Sequence, residues 1–279
     1  LPENEKRAPE LSDDLVLIAD AARKAGEIAL GYFRQDPEVW WKGGKSPVSE
    51  ADLEVDRFLK EVLLSARPDY GWLSEETAPS QDRFAAERLF VVDPIDGTRA
   101  FIDGRPTWCV SIAVVEKGRT FAGVLDCPVL EERYTALEGG GAFMNGLPIL
   151  ARTQGDEPGD EIIIAGPKAM LALLPADLSA RTRPHGHVPS LAYRIAMVAS
   201  GALDATFVKP NAHDWDIAAA DLILREAGGA IVNSAGESLL YGGKILQHGA
   251  LLAASRALLE PLKLVLSQQP GSEAGGSGL

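Results

Sequence analysis

The sequence predicts a mixed fold, an α+β first half with a largely antiparallel sheet followed by an α/β second half. Three observations lead there. Two segments with helical apolar spacing come first, and a succession of strand-like runs follows them to about residue 149. A polar stretch, "TQGDEPGDE" (153–161), then breaks the pattern and sets the boundary between halves, 1–152 and 153–267. Beyond it, strand and helix patterns alternate, the signature of an α/β unit.

The elements follow in order. Leu15, Ile18, Ala22, Ala25 and Ala29 recur at helical spacing and predict a helix over 13–33, capped by Ser12 or Asp13. A second helix is expected over 49–66, with Ser49 as its cap, Asp52 on its first turn and Pro68 as its stop. Leu53, Asp56, Phe58, Leu59, Val62 and Leu63 mark its core-facing side. "GWLSEE" reads as a short strand entering an acidic loop, and "RLFVVD" as a buried strand. "WCVSIAVVEKGRTFAGVLDCP" gives two strands around a Lys-Gly turn, and "RYTALEGGGAFMNGLPI" two more with glycines at the bend. In the second half, "IIIAG", "DATFV", "AIVN" and "ALLAAS" are strands. "SLAYRIAMVASG" is a helix closed by Gly201, and "WDIAAADLILREAGG" one closed by Gly228 and Gly229. "RALLEPLKLVLS" is the final helix. "LPENEKRAPE" at the start, and 268–279 at the end, read as disordered. No internal repeat is visible.

Bulk properties narrow the function. With 279 residues, 46% hydrophobic and 24% charged, the chain is an ordinary globular protein. A formal charge of −13 disfavours nucleic-acid polymers and anionic membranes as partners. No run approaches the roughly 18 apolar residues of a membrane span, and the first residues lack the apolar core of a signal peptide. Cys109 and Cys127 form no disulfide framework and are expected as core thiols in a reducing cytoplasm. His185, His187, His213 and His248 have no zinc-site spacing and are read as structural or surface residues. There is no phosphate-binding GK[ST] loop and no GxSxG elbow.

The acids are the informative feature. "FVVDPIDGTRAF" (90–101) ends an apolar strand on two aspartates, Asp93 and Asp96, both ahead of the cation Arg99. Two carboxylates about 4 Å apart repel by roughly 4 kcal/mol at an effective dielectric near 20. A proton or a metal must offset that. Glu75 and Glu76, Asp214 and Asp216, and Asp52 occupy similar positions at strand ends or helix starts. Taken singly they have plain explanations: a solvated loop for Glu75 and Glu76, a helix cap for Asp216, a turn for Asp93-Pro94. Together they offer several hard oxygen ligands on rigid elements, which suits Mg²⁺. Gly97 and Thr98 then open a segment whose backbone N–H groups suit a phosphate oxygen.

Two motifs give the chain its resemblance. "DPIDGTRAF" (93–101) and "WDIAAADLILREAGG" (215–229) resemble the two signatures of the inositol monophosphatase superfamily, metal-dependent and typically lithium-sensitive phosphatases. "KSPVSEAD" (45–52), "SEE" (74–76) and "GGGAFMNG" (139–146) support the match in order, and the likeness spans roughly 13–266. The resemblance implies a layered αβαβα sandwich of the sugar-phosphatase type. It implies a first metal on Glu75, Asp93 and the Ile95 carbonyl, a second on Asp93, Asp96 and Asp216, and a third, weaker one near Glu75. Gly97 and Thr98 would hold phosphate through backbone N–H groups. Thr98, with Asp52 behind it, would orient and deprotonate the attacking water, and Glu76 would stand behind the ligands as an outer acid. Asp52, Glu75, Asp93, Asp96 and Asp216 sum to −5 against +6 from three Mg²⁺, so the loaded site receives a phosphate dianion.

The substrate is less sharply drawn. Subgroups of this superfamily hydrolyse inositol monophosphates, 3'-phosphoadenosine 5'-phosphate, histidinol phosphate or fructose bisphosphate. The inositol-type enzymes carry an acid seven positions before the second-motif aspartate; here Lys209 stands there, suiting a second phosphate unless it faces solvent. "SLAYRIAMVASG" and "DGTRAFI" are more similar to the bisphosphate nucleotidases, whereas "DGRPTW" is more similar to the inositol and histidinol phosphatases. The inositol and nucleotidase readings are therefore carried together. A homodimer is compatible with the resemblance. A regulator that binds RNA polymerase or ribosomal components, and a metal-binding structural protein without chemistry, are the competing classes.

Overall fold

The structure, a computed structural model, describes residues 3–43, 46–152 and 161–268. Helix α1 (Glu3–Tyr32) leads into a hairpin of β1 (Val39–Lys42) and β2 (Ser46–Ser49), then α2 (Glu50–Ala66). Strands β3 (Gly71–Ser74) and β4 (Arg88–Asp96) precede the short α3 (Thr98–Ile102). The first sheet is completed by β5 (Cys109–Glu116), β6 (Arg119–Cys127), β7 (Glu132–Leu137), β8 (Gly141–Met144) and β9 (Leu147–Pro148). Its seven strands run in chain order, β3 to β9. All neighbours are antiparallel except β3 and β4, which are parallel.

The second half holds β10 (Ile162–Ala165), α4 (Lys168–Leu171), α5 (Ala176–Arg181), β11 (Thr182–Pro184), α6 (Leu191–Ala199) and β12 (Ala205–Val208). It continues with β13 (Ala212–His213), α7 (Asp214–Glu226), β14 (Gly229–Val232), β15 (Gln247–His248), β16 (Leu251–Ser255) and α8 (Arg256–Ser267). Five of these strands form the second sheet, ordered β11-β10-β12-β16-β14, parallel on the β11 side and antiparallel through β16. Strands β13 and β15 form a separate two-stranded pair.

Alternation along the strands builds the layers. On β5, Val110, Ile112 and Val114 join the core under α1 and α2, while Cys109, Ala113 and Val115 face α6 and α7. The other side of α6 and α7 meets the second sheet through Val208, Ile231, Leu251 and Ala253. That sheet's outer face packs Ile164, Phe207 and Leu252 against Leu258, Leu262 and Val265 of α8. The order is helices, sheet, helices, sheet, helices, the αβαβα sandwich expected. Helix α7 approaches the first sheet so closely that a Cβ on Gly123 of β6 would sit 3.1 Å from the Ala219 carbonyl oxygen.

Several expectations are corrected. The first helix does not start at Ser12 or Asp13, and the segment before it is not disordered from residue 3 on: α1 reaches back to Glu3. Glu, Lys, Arg and Leu in this stretch are good helix formers, and they outweigh the capping signal. Leu53 is exposed, and the buried face of α2 is Ala51, Val55, Leu59 and Leu63. The hairpin β1–β2 and the elements α4, α5, β11, β13 and β15 were not anticipated, whereas the helix start expected at Gly97 and Thr98 is α3. The boundary at 153–161 falls almost wholly, and the tail from 269 wholly, outside the described residues. Among the described residues, no helix is long and apolar enough to cross a membrane.

Candidate metal centre

The site is assembled where β3, β4 and α7 end or begin. In β4 the antiparallel register with β5 holds to Asp93↔Ser111, slips, and resumes at Asp96↔Cys109. Pro94 sits in this bulge, where a residue without an N–H costs no ladder bond. The Ile95 N–H bends back to Asp93 Oδ1 at 3.0 Å, and the Ile95 side chain anchors the turn in the core. Gly97 follows with φ of +94°, in a space where a Cβ would lie 3.0 Å from Ser190 Cβ and 3.1 Å from the Thr107 carbonyl oxygen. The β-strand thus ends in a tight turn that sends Asp93 toward Glu75 and Asp216, Thr98 toward Asp52, and Asp96 toward the start of α6.

Three carboxylates converge. Oxygens of Glu75, Asp93 and Asp216 all lie within 4.8 Å of one another. Asp93 is fully buried, and burial with the charges of Glu75, Asp96 and Asp216 pushes its pKa far up. Burial, followed by the Asp216 charge, raises Glu75 to about 8. Burial, followed by Asp96, raises Asp216 to about 7. Asp216 is no plain cap: it is the third residue of α7, its Oδ2 accepts the His213 N–H at 2.8 Å, and its carboxylate also joins the cluster. A cluster of one buried and two half-buried carboxylates held as proton-bearing acids is short of positive charge. Its donors are all oxygen, and the cluster contains neither His nor Cys, which fits a hard divalent cation.

Beside it, Asp52 is buried on the first turn of α2. Its Oδ2 accepts the Ser49 N–H at 2.8 Å and the Ser49 hydroxyl at 2.5 Å. Its Oδ1 lies 3.1 Å from Thr98 Oγ1, which is also 3.1 Å from the Ile95 carbonyl oxygen; the single hydroxyl hydrogen serves one or the other. Burial raises Asp52 to about 6 despite the Ser49 bonds. The pair expected from sequence is therefore in contact.

The structure places the remaining predicted residues differently. Asp96 is not in the cluster of three. Its carboxylate accepts the Ser190 hydroxyl at 2.5 Å and the N–H groups of Ala192 at 2.6 Å and Leu191 at 3.2 Å, all at the start of α6. Asp214 is buried away from the cluster and holds Gly242 N and His248 Nε2, at 2.6 and 2.7 Å. Glu76 pairs with Lys42 of the β1–β2 hairpin, Nζ to Oε2 2.5 Å. Lys209 is exposed on a separate cavity wall.

Sequence reasoning missed Ser190, Lys42 and Asp56. Asp56 reads as part of a helix face, yet it takes the hydroxyls of Ser74 and Thr77 and so ties the "SEE" turn to α2. Lys42 stands just before "KSPVSEAD", and that adjacency was its signal.

This geometry agrees with the comparisons. The family model described as "Inositol monophosphatase family" matches residues 11–269. An inositol-1-monophosphatase of Mesorhizobium japonicum is 33% identical over 275 residues, covering 91% of this chain and 97% of that protein. The Nus factor SuhB of Haemophilus influenzae is 34% identical over 254 residues, covering 88% and 92%. The solved structure of the Thermotoga maritima IMPase superposes with a TM-score of 0.80 at 27% identity, covering 92% of this chain and 97% of that one. Motifs, layers and matches converge, and the chain belongs to the inositol monophosphatase family of metal-dependent phosphatases.

Proposed function

We propose that the protein is a Mg²⁺-dependent phosphomonoesterase that hydrolyses a small phosphorylated metabolite of the inositol-phosphate or 3'-phosphoadenosine 5'-phosphate type. The observation that carries this reading is the convergence of Glu75, Asp93 and Asp216 next to the Asp52–Thr98 contact. The three carboxylates and the Ile95 carbonyl would hold two to three Mg²⁺, with Asp96 joining them once its carboxylate turns from α6. Bound there, the ions supply Lewis-acid activation of water and neutralise the phosphoryl oxygens and the leaving alkoxide. Gly97 and Thr98 present backbone N–H groups to the phosphate. The Thr98 hydroxyl accepts from the attacking water and passes its own hydrogen to Asp52, whose pKa of about 6 suits a proton acceptor near neutrality. Glu75 fixes the water's side of the cluster, and Lys42 holds Glu76 behind it.

The two halves, 1–152 and 153–267, divide the labour: the first supplies the main metal motif, the second Asp216 and the substrate wall with Lys209. The buried thiols suit a cytoplasmic setting. The test is turnover of inositol 1-phosphate, 3'-phosphoadenosine 5'-phosphate, histidinol phosphate and fructose 1,6-bisphosphate with and without Mg²⁺ and Li⁺. Asp93→Asn is expected to remove nearly all turnover while the fold, read by circular dichroism, stays intact. Retained turnover in that variant refutes the mechanism.

A relative bearing the name Nus factor SuhB favours one second reading, a regulator that contacts RNA polymerase or ribosomal components. Capture of those components by a protein with no metal-dependent turnover would establish it instead.

A further inference from the structure

Glu75 leaves the first sheet at a weak point. Strand β3 is four residues long and lies at the sheet's edge, paired only with β4. Ser74 is in register with Val92, so Glu75 emerges beside Asp93. One further backbone bond, Glu75 N–H to the Val92 carbonyl oxygen at 3.2 Å, carries the pairing that far. Glu76 and Thr77 then turn away outside the strand. A metal ligand at the end of a short edge strand needs a second support.

Asp56 of α2 supplies it. Its side chain is buried, and both carboxylate oxygens are in use. Oδ1 accepts the Ser74 hydroxyl, and Oδ2 accepts the Thr77 hydroxyl at 2.7 Å. Ser74 Oγ in turn accepts the Glu76 N–H at 3.3 Å. One carboxylate therefore grips the residues on both sides of Glu75 and Glu76, and bonds to an ionised acceptor are the strong kind. Asp56 is not itself among the three carboxylates that converge.

The spacing on α2 gives this grip its meaning. Asp52 and Asp56 are four residues apart, so they share one face of the helix. Asp52 holds Ser49 and meets Thr98, whereas Asp56 holds the turn that carries Glu75. A single rigid helix thus sets the distance between the residues assigned to the water and one of the carboxylates assigned to the metal.

We propose that Asp56 is a positioning residue for Glu75. Through Ser74 and Thr77 it keeps the Glu75 carboxylate within reach of Asp93 and Asp216, and so sets the site's affinity for divalent metal without touching metal or substrate. The inference rests on the metal-dependent reading above. Outer partners that orient ligands change metal affinity by about 10- to 100-fold. Asp52 and Asp56 then act separately, the first on the proton and the second on metal binding.

The test is calorimetric titration of the full chain with Mg²⁺, and separately with Mn²⁺, in the absence of substrate. Asp56→Ala is expected to raise the metal Kd about tenfold or more. Asp56→Asn, whose amide oxygen still accepts one hydroxyl, falls between Asp56→Ala and wild type. In turnover assays the Mg²⁺ concentration for half-maximal rate rises by the same factor in Asp56→Ala, and saturating Mg²⁺ recovers most of kcat. Asp52→Asn shows the opposite pattern, a loss of kcat with the metal Kd unchanged. A merely structural Asp56 would lower the metal-free Tm in Asp56→Ala and leave the Kd as in wild type; that result overturns the proposal. If Asp56→Ala does not fold, Thr77→Val, which removes one of the two bonds, decides instead: a raised Kd supports the role, and an unchanged Kd overturns it. A wild type that binds neither ion refutes the metal-dependent reading and this inference with it, whereas a wild type that binds metal beside variants of equal Kd refutes the positioning alone.

Discussion

Removing divalent metal is expected to make this protein less stable as pH rises from 5 to 8.5, the reverse of the usual behaviour of ion-paired carboxylates. At 4.8 Å and an effective dielectric near 20, each ionised pair among Glu75, Asp93 and Asp216 repels by about 3 kcal/mol. The metal-free site therefore keeps protons: Glu75 titrates at about 8 and Asp216 at about 7. Between the unfolded value near 4.3 for a glutamate and the folded value, the native state binds a proton that the unfolded state has lost. Unfolding releases that proton, so the stability it represents is present below about pH 4.3 and is lost as pH climbs through 8. One pKa unit is worth about 1.4 kcal/mol. Glu75 alone then accounts for on the order of 5 kcal/mol across that range.

With 279 residues and about 2.1 cal/mol/K of unfolding entropy per residue, that corresponds to a fall in Tm of about 8 °C. The assay is calorimetry in chelator across this pH range, repeated with Mg²⁺. At pH 8.5, Mg²⁺ at a hundred times its Kd restores about 2.7 kcal/mol, or about 4 to 5 °C. At pH 5 its effect is smaller, because protons occupy its ligands. Glu75→Gln flattens the metal-free profile. A metal-free Tm that is level or rises between pH 5 and 8.5, or a Glu75→Gln profile as steep as wild type, refutes the reasoning.

Two further outcomes follow from the geometry. Thr98→Ala and Asp52→Asn each break the contact between the hydroxyl and the carboxylate; kcat is expected to fall roughly 10²- to 10⁴-fold, with KM little changed and the Mg²⁺-induced rise in Tm retained. A loss of the Tm response would make these residues metal supports instead. Gly123→Ala sets a methyl 3.1 Å from the Ala219 carbonyl oxygen, and both backbones are locked in regular structure. The cost is expected to be about 1–3 kcal/mol, read as a drop in Tm, with reduced turnover because α7 carries Asp216. An unchanged Tm would show that α7 gives way freely.

Much of this was legible in the sequence because it is local. Alternation on β5 and β6 fixes two faces and hence the layers on either side. Asp93, Ile95 and Thr98 lie within six residues, so one strand and one turn place them. Asp216 needs only the start of α7. What was not legible depends on partners far along the chain. Asp96 turns to Ser190, 94 residues away, and Glu76 to Lys42, across a hairpin whose strands are too short to show a period. Arg194 reads as a single polar interruption of an apolar helix.

The cavity beside Arg194 exists only because three separate segments, 165–171, 184–188 and 208–212, meet there. Lys209 hinted at it from sequence but could equally have pointed to solvent. The fold explains why the two regions of opposite charge can coexist. The start of α6 lies between them, and its N–H groups and Ser190 hydroxyl hold the Asp96 carboxylate. An acid that a metal would recruit is thus already offset on the side that faces the cationic wall. The cations of the cavity wall and the carboxylates of the metal centre thus lie on either side of the start of α6, and its N–H groups keep the two from neutralising each other.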